Sequence, residues 1–208
     1  MNKHIKIILC LLTLLVAIFI LLNPYIDTIR YKKYYTSSPD SHTLFNLCNV
    51  SAYCYDYGDF YIYSKEFFDN YNVEEIQKIY DDISVTEANN IFDVFLAEFL
   101  VKSVCQGHIN QKEFNKYIFM YSDPGYFVKA LVDCVDKYCL LDKNKEAFLG
   151  FLNSSLELSN NYTQKMMIYT VQVYLYDDLD DAVALATAMD NQESIRNEYY
   201  EEKTKTNQ

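Results

Sequence analysis

The sequence predicts an all-α protein, with one N-terminal transmembrane helix followed by a compact multi-helix bundle or an irregular helical-hairpin array. Three observations predict it. Four glycines and three prolines in 208 residues are far fewer than turn-rich β architectures use. The runs between those breaks carry apolar residues at three-four spacing, the period of a helix with one buried face. Ile5 to Leu22 is a continuous apolar stretch whose one charge is Lys6.

Those eighteen residues cover about 27 Å as a helix, near the lower end of what a hydrocarbon core requires. The stretch has no polar face, which separates it from the core helix of a soluble protein. A cleavable export signal ends in small residues at A-x-A spacing. Here Leu21, Leu22, Asn23, Pro24, Tyr25, Ile26 and Asp27 follow, so residues 1–22 are expected to stay as a signal anchor, in the membrane over residues 5–22. Cys10 lies inside the run, without the small residues that precede a lipidated cysteine, and reads as membrane-buried filler. Lys3 and Lys6 on one side nearly balance Arg30, Lys32 and Lys33 on the other, so the positive-inside rule decides little. The short basic start and the cysteine content favour a single-pass protein whose C-terminal domain lies outside the cytoplasm, periplasmic or extracellular.

Residues 23–41 read as a polar, tyrosine-rich connector ending in SSPDS. One helical domain is expected over 42–190 and a polar helical or disordered tail over 191–208. A first helix near 42–56 places Leu44, Leu47, Cys48 and Ser51 on one side and breaks near Gly58. Phe60, Tyr63, Phe67 and Tyr71 have helical spacing, although YDYGDFYIY also suits a short strand. Asn72 and Glu75 have capping-box spacing before Val73, Ile76, Ile79, Tyr80 and Ile83. Thr86 to Cys105 predicts a central helix, because Ile91, Phe92, Phe95, Leu96, Phe99 and Leu100 form a wide apolar stripe and Gly107 supplies the stop.

Asn110 and Glu113 open the next helix, with Phe114, Tyr117, Ile118 and Tyr121 inward. Asp123-Pro124 is an N-cap with proline at the first helical position, leading into Phe127, Leu131, Cys134, Val135 and Tyr138. Asp142 caps a helix holding Ala147, Phe148, Phe151, Leu152 and Leu156, and SNNYT precedes another with Met166, Met167, Tyr169, Thr170, Val173 and Tyr174. DDLDD then starts a last core helix containing Val183, Ala184, Ala186 and Ala188. No repeat of 30 to 45 residues is evident.

All 29 acidic residues lie beyond Leu22, whereas two of the 18 basic ones, Lys3 and Lys6, precede it, which leaves the remainder at −13. That sign disfavours nucleic acid and anionic bilayer surfaces and suits a basic protein partner; it also serves solubility. Cys48, Cys54, Cys105, Cys134 and Cys139 follow the anchor. In an oxidising compartment they are candidate disulfide cysteines, with connectivity open. Their spacings match no common zinc pattern and the histidines are His4, His42 and His108, so neither a metal nor another cofactor is expected. Asn49, Asn153 and Asn161 form N-x-S/T sequons, meaningful only in a eukaryotic secretory pathway.

Catalytic constellations are weak. Cys105 and His108 have the residue types of a thiol and its base, but their spacing crosses the helix stop at Gly107. Asp56, Asp59, Glu66 and Asp69 among aromatics suit carbohydrate contact or a hydrolase cleft. The chain has no G-x-S-x-G, H-E-x-x-H, P-loop or G-x-G-x-x-G. Asp177, Asp178, Asp180 and Asp181 lack the glycine and final glutamate of an EF-hand. The sequence therefore predicts a non-enzymatic, membrane-anchored protein-binding domain. Its expected partner-binding residues are Asp56, Tyr57, Asp59, Tyr61, Asp177, Asp178, Asp180 and Asp181. An immunity-type inhibitor of a periplasm-acting toxin is the concrete form; an assembly or structural subunit of a membrane complex is the alternative, and an envelope hydrolase the third.

Overall fold

The computed structural model describes residues 3–37, 40–53, 56–71, 74–75, 78, 91–159 and 161–206. Among them all regular structure is helical, and the chain divides into two compact units, Met1–Tyr71 and Asn72–Gln208. The single domain expected over 42–190 is thus parted after Tyr71, and the first of its two parts includes the apolar helix.

In the first unit α1 runs from Lys3 to Ser37 without a break at Pro24. Most of the connector expected over 23–41 is therefore helix. A proline removes one backbone donor and costs about 3 kcal/mol in a helix interior. Packing offsets that cost. The Thr28 hydroxyl donates to the Pro24 carbonyl at 2.9 Å, which leaves the acceptor four residues before the proline unaided, so packing has to supply the compensation. Pro24, Asp27, Thr28, Tyr31, Lys32 and Tyr35 form a half-buried stripe at helical spacing, and α1 packs on α2 (Ser41–Tyr53). Within α1, Leu12–Thr36 is long and apolar enough to cross a membrane.

Asp40 caps α2, accepting from the Thr43 backbone at 2.9 Å and its hydroxyl at 2.7 Å. Leu44, Leu47, Cys48 and Ser51 are all buried, which matches the stripe read from the sequence. The stretch with the strand alternative is helix α3 (Tyr57–Asn70), capped by Asp56. Phe60 and Phe67 are buried, while Tyr63 and Tyr71 are half-buried; Phe67 meets Phe45 of α2 at 5.8 Å between ring centroids. The helix expected from Asn72 to Ile83 lies largely outside the described residues, as do residues 86–90 of the predicted central helix.

The second unit is built around α4 (Ile91–Cys105), buried nearly all round by Phe92, Phe95, Leu96, Ala97, Phe99, Leu100, Val101 and Val104. It stops at Gly107, whose φ of 69° lets His108 N–H reach the Ser103 carbonyl at 2.8 Å, the bond that closes a Schellman motif. Helix α5 (Gln111–Tyr117) carries the expected Asn110–Glu113 capping box, and α6 (Pro124–Tyr138) the expected Asp123 cap. Phe127, Leu131, Cys134 and Val135 of α6 are buried, whereas Tyr138 is half-buried. Buried Asp93 fastens the intervening loop to α4, accepting from Ser122 N–H at 2.7 Å, Ser122 hydroxyl at 2.8 Å and Asp123 N–H at 3.0 Å.

Helix α4 packs against α6 and α7 (Asp142–Leu156), α8 (Tyr162–Asp178) lies on α6 and α7, and α9 (Ala182–Thr206) lies on α8. Three sequence expectations are corrected here. Asp142 sits in the first turn of α7 after a Leu141 cap that makes no side-chain bond. In α8 the buried residues are Met167, Ile168, Val171, Gln172 and Leu175. The core took the branched aliphatic stripe, and Tyr169, Val173 and Tyr174 flank it half-buried. Helix α9 buries Ala188 but leaves Val183 79% exposed, so it is an outer polar layer. Of the helical or disordered forms expected for the tail it has the helical one, running to Thr206, where Tyr199 stacks on Tyr162 at 4.1 Å and Gln192 donates to Thr170 at 2.9 Å.

Candidate functional site

The run DDLDD, read from the sequence as a helix start, is instead the whole junction of the α8–α9 hairpin. Asp177 and Asp178 end α8. Asp180 makes the turn at φ 54°, a conformation that aspartate tolerates better than most side chains. Asp181 accepts from Ala184 N–H at 3.0 Å and so caps α9. Asp178 forms an ion pair with Lys145 of α7. The hydrogen bond that Lys145 donates to that carboxylate is the main cause that holds its ammonium above the usual range. Asp177 and Asp180 are exposed.

Against this turn lies a groove of about 370 Å³ walled by Asp142, Glu146, Gly150 and Asn153 of α7 and by Tyr176, Leu179 and Asp181. It meets a second groove of about 360 Å³ at Asn153 and Tyr176, which continues between α8 and α9 past Tyr169, Thr187 and Asn191. Buried Gln172 donates to Asn153 at 2.6 Å and fixes the shared wall. On another face of α8, Tyr174 donates to Asp136 at 2.6 Å; that bond and burial push the phenol up to about 12. The acidic turn and groove together present six carboxylates around one lysine already paired, a fixed negative surface on three helices. Asp142 and Glu146 were not singled out as site residues from the sequence. Their i,i+4 spacing on α7 was visible there, but only the packing of α7 beside the turn gives it meaning.

The other predicted patch has a different fate. Asp56 accepts from Asp59 N–H at 3.2 Å as the cap of α3. The Asp59 carboxylate pairs with Lys32 of α1, and Glu66 accepts from Tyr35 at 2.5 Å. Tyr61 is half-buried, and the Tyr57 side chain lies outside the description. Three of the four carboxylates proposed for a hydrolase cleft thus hold the first unit together. The two predicted patches belong to separate units.

The cysteines sort clearly. Cys105, the last residue of α4, and Cys139, the first after α6, form a disulfide with Cα atoms 6.2 Å apart, within the separation that disulfides span. It takes Cys105 out of the thiol–base pair with His108. Cys48 and Cys134, two of the five candidate disulfide cysteines, are free and buried. Burial pushes both thiols up to about 12, so neither supplies thiolate at neutral pH. Cys54 lies outside the described residues.

Beside the disulfide, Glu98 of α4 accepts from Lys102 at 2.6 Å and from Tyr138 at 2.5 Å, and Lys102 lies 4.6 Å from the Tyr138 ring centre. Burial acts to raise the Glu98 carboxyl, but the two hydrogen bonds and the lysine charge outweigh it and hold the group below its usual range. Lys102 is 4% exposed, and this pairing is what permits its burial. Among the described residues no group of three or more His, Cys, Asp or Glu is placed to hold a metal ion. No protein-family model, curated protein or solved structure matches this chain.

Proposed function

We propose that the chain is a membrane-anchored binding protein whose second unit faces an oxidising space outside the cytoplasm and takes a basic protein partner on the acidic α7–α8–α9 surface. The observation that carries this reading is the DDLDD turn beside the groove, where Asp177 and Asp180 stand exposed while Asp178 and Asp181 are held by Lys145 and by the start of α9. Complementary charge of this kind speeds encounter and selects partners. The apolar helix and the Cys105–Cys139 disulfide support an anchored, exported chain, since disulfides persist where thiols are not kept reduced. An immunity-type inhibitor of a toxin acting in the periplasm is the specific form proposed, because that task needs export, retention and a preformed acidic surface.

Two measurements test it. Protease added outside intact cells or sealed right-side-out vesicles digests the second unit; protection until the membrane is opened overturns the topology. Detergent-solubilised protein retains a basic partner that the Asp177→Lys, Glu146→Lys double variant releases, and expression of the wild type rescues growth when that partner is toxic. Equal retention by the double variant overturns the surface, and a stoichiometric membrane-embedded partner favours an assembly subunit.

A further inference from the structure

Beyond Leu22 the two sides of α1 differ. Leu22, Tyr25, Ile26 and Ile29 stay exposed, Ile29 at 70%. They continue the face of the apolar run for about two more turns, or roughly 10 Å. On the other side Pro24, Asp27, Thr28, Tyr31, Lys32 and Tyr35 are half-buried; Lys32 and Tyr35 are bound to Asp59 and Glu66 of α3. The apolar face ends at Arg30, Lys33 and Tyr34, with the Arg30 guanidinium 5.6 Å from the centre of the Tyr34 ring. Basic and tyrosine side chains together are the composition of a membrane–water boundary.

We propose that lipid covers this face and that the hydrocarbon boundary lies at Ile29, so that the first turn of α3 sits in the headgroup layer as a rigid foot. The inference rests on the membrane-anchor reading. Length supports it: Ile5 to Leu22 alone spans only about 27 Å, short of a core about 30 Å thick. Ile5 to Ile29 spans about 37 Å, which fits the same core at a tilt of about 35°. The asymmetry gives the direction of tilt, since the helix lowers its Ile26–Ile29 side into lipid and lifts its Asp27–Thr28 side out. The Lys32–Asp59 pair then fixes the start of α3 about 4.5 Å along the axis beyond Ile29, within the headgroup layer. The anchor and the α2–α3 hairpin thereby move as one body, with no flexible tether at residues 23–37.

The chain has no tryptophan, so a single introduced one reports its own depth. Full-length Val16→Trp, Ile29→Trp and Tyr25→Trp are each reconstituted in phosphatidylcholine–phosphatidylglycerol vesicles. The acyl chains are brominated either near the headgroup or near the chain end. Tryptophan at 16 should lose more than half its emission to the deep bromines. Tryptophan at 29 and at 25 should lose as much to the shallow ones and resist aqueous iodide. Quenching at 16 with iodide-accessible, bromine-insensitive emission at both 25 and 29 overturns the proposed boundary and leaves the anchor standing. Loss of bromine quenching at 16 overturns the anchor, and this inference with it.

Discussion

The two units use acidic residues in opposite ways. In the first, Asp56 caps α3, Asp59 pairs with Lys32 and Glu66 accepts from Tyr35. The carboxylates there join α3 to its own start and to α1. In the second, Glu98 and Asp93 do similar work inside, but Asp177 and Asp180 project from a hairpin turn into solvent. The sequence shows the same residue types in both places, each among tyrosines. What separates them is whether the fold supplies a partner, and the partner is often far away in sequence: Lys32 is 27 residues from Asp59. A charge answered within the fold adds to stability, whereas an unanswered one is available to another molecule.

That contrast can be broken at several strengths. The largest expected effect is on the second unit alone. Cys139→Ser opens a disulfide across 34 residues and should lower the stability of that unit by about 3–4 kcal/mol. In urea the second-unit transition moves and any first-unit transition stays. On denatured wild-type protein, reduction should raise the thiol count through Cys105 and Cys139.

Glu98→Gln comes next. It strips the carboxylate from buried Lys102 and should cost about 3 kcal/mol. Because the Glu98 carboxyl is depressed in the folded state from an ordinary value of 4.5, its contribution is present above that pH. It is lost as pH falls through the depressed folded value. Wild type should therefore lose stability on acidification below about pH 4.5, and the variant should lose less over the same interval. Thermal melts of both proteins from neutral pH to pH 3 check it; parallel curves would remove Glu98 from the account.

The smallest effects sharpen the comparison itself. Asp56→Ala removes a helix cap and should cost about 1 kcal/mol. Asp177→Ala removes an exposed charge and should change stability by less than about 0.5 kcal/mol. Similar losses for both, in urea midpoints, would mean that Asp177 is also engaged by the fold.

Much of the architecture was legible in the sequence where local signals agreed. Asn110–Glu113, Asp123-Pro124 and Gly107 announced helix ends through their own side chains or conformational freedom, and Leu44, Leu47, Cys48 and Ser51 announced a buried face. The reading failed where a local signal was overridden or ambiguous. Pro24 and the polar residues after it resembled a connector, but packing against α2 and bonds to α3 carry the helix through. In α8 methionines and tyrosines competed with Ile168, Val171 and Leu175 for the core, and periodicity alone does not choose between adjacent stripes. The acidic turn was visible as a run of carboxylates. Its neighbours Asp142 and Glu146 were not, because the groove exists only after α7 has packed beside the hairpin.

The outermost helix has one more consequence. Helices α4 to α8 bury apolar side chains against one another, whereas α9 contributes Ala188 as its buried hydrophobic residue and is held by the Tyr162–Tyr199 stack. A stack of helices that stops at an apolar layer invites another such layer, from the same chain or from a copy, and stacked-helix proteins avoid this with a polar terminal element. Helix α9 closes the stack in that sense. It covers α8 with a mainly polar surface in which Val183, Met189 and Tyr200 are the large apolar side chains left exposed, so that side of the second unit offers little apolar area to a further layer.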